Sequence, residues 1–308
     1  MTSVIINLSA IIAKLAIILF MKSNIYAIVG PTASGKSDLA LNLAKKNRAI
    51  ILSVDSLSVY KEIDIASAKP SKDELLEVKH FGVDMLFPNQ KFDVVEFINE
   101  YKRAKSFAKE HNMGLIIVGG TSFYLKALTV GISKMPKITK EVKEAVDNSL
   151  KDLDSAYSNL KKIDLDFAKS ITSKDRYRIQ KAYEIYFATN IVPSDYFKIN
   201  PPKPIEPNLP IYEIKVERSI LREKIKKRTQ KMLDKGLIDE VAYLEYKYTR
   251  EPNSMKAIGI KEVLDYFDGK LNKRELKEKI IVNTASLAKR QVTFNKSQLN
   301  IKGLAKDL

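Results

Sequence analysis

The chain predicts an α/β protein: a parallel sheet flanked by helices, carrying a helical insertion domain. Three observations support that expectation. The first is the octapeptide Gly30-Pro31-Thr32-Ala33-Ser34-Gly35-Lys36-Ser37, which fits the pattern G-x-x-x-x-G-K-[ST] at every fixed position. It sits between an apolar run, Ile25 to Val29, and a helical pattern formed by Leu39, Ala40, Leu43 and Ala44. The second is the recurrence of short apolar runs separated by helical patterns, as parallel strands joined by crossover helices require. The third is a change of pattern from about residue 126 to 207, where Lys, Asp and Tyr abound and strand signal fades.

Taken in order, Ile25 to Val29 forms the first strand, and the octapeptide follows as a P-loop. Strand, glycine-bearing loop and helix N-terminus aim backbone N–H groups and a positive dipole end at one point, which suits a phosphate or diphosphate. Within the loop Lys36 adds a mobile positive charge, and Ser37 offers a hydroxyl to a magnesium ion riding on the phosphates. Ala49 to Val54 is the second strand, ending at Asp55-Ser56. A helix from Val94 to Lys109 places Phe97, Tyr101, Ala104 and Ala108 on one face. Leu115 to Val118 is the third strand, ending at Gly119-Gly120-Thr121. In the insertion, Ser173 to Lys181 opens a helix running towards Phe187, and Pro201-Pro202-Lys203-Pro204 reads as a stiff linker. Ile211 to Val216 is a later strand. The remainder reads as helical, with Met232, Leu233, Leu237, Ile238 and Val241 as an apolar face. The resulting organisation is a P-loop NTPase-like core over 21–125 and 208–308, interrupted by a helical insertion over 126–207.

Residues 1–20 stand apart. Val4 to Phe20 is largely apolar but interrupted by Asn7, Ser9 and Lys14. Basic residues ahead of it and a small-residue cleavage site after it are missing, and a membrane span would bury Lys14 near its centre. The segment is expected to lie outside the fold, with Met21-Lys22-Ser23 as a natural start; a membrane tether is the alternative.

Composition narrows the chemistry. The 308 residues contain no cysteine, which excludes disulfides, thiolate metal sites and a cysteine nucleophile. Two histidines, His80 and His111, leave little scope for a histidine metal centre, and neither is assigned a catalytic role. Lysine and arginine number 53 against 37 acidic residues, a net charge of +16 that implies a polyanionic partner, nucleic acid or an anionic membrane. No cysteine and a phosphate site make the cytoplasm the expected compartment.

Ligands of open parallel sheets gather at the carboxyl ends of the strands, so Asp55 and Thr121 should face the crevice of the P-loop. On residue logic alone Asp55 either holds magnesium, acts as a general base, or, with Ser56 as the other candidate, caps a following helix. Thr121 offers a hydroxyl beside two glycines, or simply caps a helix. The third strand ends in glycine where a motor ATPase often carries an acid, which weakens a kinase or motor reading. Arg176, Arg178 and Lys181 interleave with Tyr177, a pattern suited to RNA phosphates and stacked bases, or to a solvated helix face.

Several motifs then come in a fixed order. After the P-loop follow Ser53-Val54-Asp55-Ser56, Tyr60-Lys61, Asp64-Ile65, Ala68-Lys69-Pro70, Val118-Gly119-Gly120-Thr121, Tyr124-Leu125-Lys126-Ala127-Leu128 and Leu287-Ala288-Lys289-Arg290-Gln291. The ordered set resembles the tRNA dimethylallyltransferase (tRNA isopentenyltransferase) family from about Ile25 to Phe294. The resemblance implies prenyl transfer from dimethylallyl diphosphate to N6 of the adenosine immediately 3′ of the anticodon, tRNA position 37, giving N6-isopentenyladenosine. It makes Gly30 to Ser37, with Arg228, the diphosphate site, and Mg2+ at Ser37 the cofactor. It makes Asp55 the base for the amine and Thr121 the residue that places the flipped adenine or the donor. It implies tRNA contacts at Asp55, Ser56, Leu57, Ser58, Thr121, Lys143, Tyr177, Arg178, Ile179, Gln180, Lys181, Lys256, Ala257, Ile258, Gly259, Ile260 and Lys261, with a direct role for Gln90 less expected. A monomer without stable membrane association is the expected form.

Three departures touch tRNA affinity and leave the reaction alone. Lys181 stands where the family often has arginine, which removes a bidentate phosphate contact. Ile260 replaces a common tyrosine, and Phe294-Asn295-Lys296 stands where an aromatic-rich ending is usual. A small-molecule kinase and a tRNA-binding protein with a degenerate nucleotide site are the rival functions.

Overall fold

A computed structural model describes residues 25–304. Six strands form one sheet in the order β3-β2-β4-β1-β5-β6. They are β1 (Ile25–Val29), β2 (Ala49–Ser53), β3 (His80–Phe81), β4 (Gly114–Val118), β5 (Ile211–Glu213) and β6 (Gly303–Leu304). All five pairings are parallel. Register aligns Ser53 with Val118 and Ile28 with Val118, so the carboxyl ends of β1, β2 and β4 come out side by side.

A parallel sheet must bury both faces, which explains its unalternated apolar strands. On one face Tyr26, Ile28, Ile51, Ile116 and Val118 pack with Ala40 and Ala44 of the helix Lys36–Asn47. The helix Val94–Glu110 buries Phe97, Tyr101, Ala104 and Ala108, the face the sequence marks out. Asp93 starts it by accepting from the Val95 and Glu96 N–H groups. Beyond the sheet, Met232, Leu237 and Val241 are buried, with Leu233 and Ile238 packed against them, in a cluster completed by Leu244, Met255, Ile260, Leu276 and Ile280.

The sequence reading needs two adjustments. β5 ends at Glu213, although Ile214 still donates its N–H to the Val29 carbonyl. β3 and β6, of two residues each, were not foreseen. His80, given no catalytic role from the sequence, lies on β3, where its ring Nδ1 sits 2.7 Å from the Val78 carbonyl.

Contacts divide the chain into two compact units, one of residues up to 128 and from 208, the other Thr129–Pro207. The second unit is helical: Lys140–Ser149, Leu153–Ile163, Leu165–Lys169, Arg176–Thr189 and Pro193–Ile199. Its own core gathers Val146, Leu150, Leu160, Ala168, Ile179 and Tyr183. Asp175 caps the helix that begins at Arg176 by accepting from the Arg178 N–H. Among the described residues no helix is long and apolar enough to cross a membrane. The expected extension over residues 1–20 lies outside the described residues.

Candidate active site

The P-loop owes its shape to local chemistry. Gly35 adopts φ +91°, a left-handed conformation that L side chains rarely tolerate, and turns the chain directly into the helix Lys36–Asn47. No side chain caps that helix, so its first N–H groups are left for a ligand. Ser34 within the loop is buried, and its hydroxyl has no hydrogen-bond partner among the described residues.

The strand ends converge as sheet topology requires. The Val54 N–H donates to the Val118 carbonyl at 2.7 Å, and the Thr121 N–H donates to the Val54 carbonyl at 2.9 Å. A Cβ at Gly119 would lie 2.3 Å from the Val54 oxygen, so only glycine permits this approach. Thr121 Oγ1 accepts from the Ser56 N–H at 3.3 Å. Asp55 Oδ1 accepts from the Leu57 and Ser58 N–H groups, at 2.8 and 3.4 Å, and thereby holds the turn. A turn and not the expected helix follows Asp55, and holding it engages one carboxylate oxygen. Ser58 is buried, with its hydroxyl 2.9 Å from that of Ser53.

These elements enclose a cavity of about 600 Å³. Its polar wall includes Thr32, Lys36, Ser37, Asp55, Ser56, Thr121 and Arg228. Its apolar wall includes Met232, Ile258, Ile280 and Leu287. A ligand that is anionic at one end and hydrocarbon at the other fits such a lining. Lys36 is buried and donates to the Pro31 carbonyl at 3.3 Å. Burial lowers its pKa to about 8, with the Arg228 charge adding to the shift and Asp55 opposing it. Burial also lowers the Arg228 pKa, again opposed by Asp55, and the guanidinium stays protonated. Neither cation makes an ion pair among the described residues, and the Asp55 carboxylate on the same wall offsets their charge only in part.

The predicted residues divide clearly. Thr32, Lys36, Ser37, Asp55, Ser56, Leu57, Ser58, Thr121, Arg228, Lys256, Ala257 and Ile258 all line the cavity. Gly30, Pro31, Ala33, Ser34 and Gly35 form the rest of the loop, while Gly259 caps the helix Ile260–Phe267 and Lys261 is exposed. Lys143, Tyr177 and Arg178 are exposed in the helical unit. Two segment members do not offer side chains to RNA: Ile179 and Ile260 are fully buried, each in a hydrophobic cluster. Gln90 accepts from the Phe87 N–H and does not line the cavity. Arg176 donates to the Leu150 carbonyl at 2.9 Å, an internal role that its charge concealed.

No group of three or more His, Asp or Glu residues is placed to hold a metal among the described residues. Ser37 is the cavity-lining hydroxyl that could hold a magnesium ion together with phosphate oxygens.

The sequence pattern of IPP transferase matches residues 58–298. The chain is 60% identical over 278 residues to a tRNA dimethylallyltransferase of Nautilia profundicola, covering 90% of this chain and 94% of that one. The chain belongs to the IPP transferase family. The tRNA isopentenylpyrophosphate transferase of Bacillus halodurans is 29% identical, with a TM-score of 0.65 over 90% of this chain and 88% of that one. A eukaryotic dimethylallyltransferase solved acting on tRNA is 25% identical, with a TM-score of 0.78 over 91% and 73%. The P-loop NTPase-like fold of this IPP transferase is thus shared with enzymes of that activity.

Proposed function

We propose that this IPP transferase moves a dimethylallyl group from dimethylallyl diphosphate to N6 of the adenosine immediately 3′ of the anticodon, tRNA position 37. The observation that supports it best is the pair of cations without an ion pair among the described residues, Lys36 and Arg228, facing one cavity beside an uncapped helix N-terminus and an apolar wall. The diphosphate takes the cationic end, and the five-carbon group takes the wall of Met232, Ile258, Ile280 and Leu287.

The bond from the allylic carbon to the diphosphate oxygen breaks as the bond from N6 to that carbon forms. Negative charge then grows on the leaving diphosphate, where Lys36, Arg228 and the loop amides stabilise it. Ser37 would hold a magnesium ion on those oxygens, where the ion would supply further charge neutralisation. Asp55 takes the proton that N6 loses, through the oxygen not engaged by the Leu57 and Ser58 amides. Thr121 holds the acceptor against the donor. The adenosine must leave the anticodon-loop stack to reach this cavity. The basic helical unit supplies phosphate contacts through Lys143, Arg178 and Lys181, with Tyr177 as a stacking surface. The enzyme is read as a cytoplasmic monomer.

The deciding experiment supplies labelled dimethylallyl diphosphate and magnesium with unmodified tRNA bearing adenosine after its anticodon, and runs ATP in parallel. Label at N6 with ATP inert is the expected result. ATP turnover without prenylation overturns the reading and returns the loop to a kinase.

A further inference from the structure

The motif ending at Gln291 has no part in the chemistry above, yet its side chain occupies a singular position. Gln291 lies on the helix Lys273–Gln298 and faces the cavity, in a stripe with Ile280, Thr284 and Leu287. That spacing of four, three and four residues keeps one helical face on the cavity wall. Gln291 Oε1 accepts from the Thr32 N–H of the P-loop at 2.8 Å. Its Nε2 donates to the Gly120 carbonyl at 3.1 Å. One planar amide thus joins the loop that holds the leaving group to the turn that presents Thr121.

The approach is close: a Cβ at Gly120 would lie 2.4 Å from Gln291 Nε2, so a side chain at 120 would push that amide aside. The chain of contacts continues from Thr121 Oγ1 to the Ser56 N–H, adjacent to Asp55. The P-loop and the turn before Thr121 are tied through this one side chain.

We propose that Gln291 is a positioning residue, an amide brace that fixes the P-loop against the Gly120-Thr121 turn and so aligns the allylic carbon with the attacking N6. The inference rests on the prenyl-transfer reading. A brace of this kind acts on alignment rather than on binding: the cations that hold diphosphate and the surfaces that hold tRNA keep their places without it. Misplacement by about an ångström costs on the order of a hundredfold in rate.

The test measures kcat, and KM for donor and tRNA, in full-length Gln291→Leu, Gly120→Ala and the double variant, with thermal melts alongside. Gln291→Leu is expected to lose about tenfold to a hundredfold in kcat, with both KM values within about threefold of the parent. Gly120→Ala should lose a similar factor by displacing the amide. The double variant should be no worse than the poorer single one, because both remove one interaction. Multiplied losses in the double variant overturn the proposal, as does a Gln291→Leu enzyme with unchanged kcat. A defect confined to donor KM overturns it too, since Gln291 would then be a diphosphate ligand. Should Gln291→Leu melt far below the parent, Gln291→Glu decides. It keeps the acceptor for Thr32 and lacks the donor for Gly120, so a folded Gln291→Glu enzyme with parental kcat excludes the brace. If the parent itself does not prenylate tRNA, the functional reading fails instead, and that outcome is read separately.

Discussion

Two sets of cations in this protein live under opposite rules. Lys36 and Arg228 face an interior cavity with no ion pair among the described residues, and burial lowers the pKa of each. In the helical unit, Arg178 reaches Asp175 at 3.4 Å in a largely exposed pair, while Lys181, itself a third exposed, reaches the buried Glu184 at 2.6 Å. A buried charge without a partner is costly and is kept where a ligand will compensate it. An exposed pair is worth little and exchanges readily for an RNA phosphate. The first arrangement favours one small anion in one geometry, and the second favours a long polyanion whose contacts are individually replaceable.

The sharpest way to break that comparison is at Asp55, which the cavity cations surround electrostatically. Its Oδ1 holds the Leu57 and Ser58 amides, so alanine would confound turn and chemistry. Asn keeps an acceptor for the turn and removes the base. Asp55→Asn should lower kcat by about 10²- to 10⁴-fold, with tRNA affinity nearly unchanged. Retained turnover in Asp55→Asn would reduce the residue to a cap.

Lys36 comes next. Lys36→Met should raise donor KM or lower turnover by about 10²- to 10³-fold. The same substitution should leave the ligand-free protein about 1–3 kcal/mol more stable near pH 7, because a buried charge without an ion pair among the described residues is gone. The sign follows from the lowered pKa. Below about 8 both folded and unfolded states hold the proton, and the cost of burying the charge is present in full. Between about 8 and the ordinary lysine value of 10.5 the unfolded chain binds more protons, so this group's contribution makes stability rise with pH. Donor affinity should run the other way, weakening as pH rises through about 8 and the ammonium is lost. Thermal melts and donor titrations across pH 6.5 to 9.5 check both directions; parallel trends would show that Lys36 is not the diphosphate's counter-charge.

How much of this was legible depends on the range of the signal. The P-loop was readable because its determinants are neighbours: the glycine whose φ is +91°, the lysine after it, and the apolar strand before it. Asp55 and Thr121 were placed by a topological rule, since strand ends share one crevice. The Gln291 brace was not readable, because its partner Thr32 is 259 residues away and only the packed helix brings them together. β3 and β6 escaped because two residues carry no periodicity. Within the tRNA-contact segments, order along the chain identified the stretch but not the face. A helix turns every third or fourth residue inward, and Ile179 and Ile260 fell on those positions.

That last point yields the smallest effects and the finest test of the comparison. Tyr177, 68% exposed, and Arg178 lie on the open face of the helix Arg176–Thr189, while Ile179 beside them is fully buried. Tyr177→Ala should weaken tRNA binding by about 1–3 kcal/mol if the ring stacks on a base. Arg178→Ala should weaken it a few-fold, and reduce the salt dependence of binding by about one phosphate contact. Neither should change kcat at saturating tRNA. Ile179→Val removes one methylene from the core of the helical unit, which should cost about 0.5–1.5 kcal/mol of stability and leave tRNA affinity at its parental value. Filter binding at several salt concentrations, with melts of the same preparations, separates the three. A loss of affinity in Ile179→Val equal to that of Arg178→Ala, without a stability change, would mean that the buried face and not the exposed one meets the RNA.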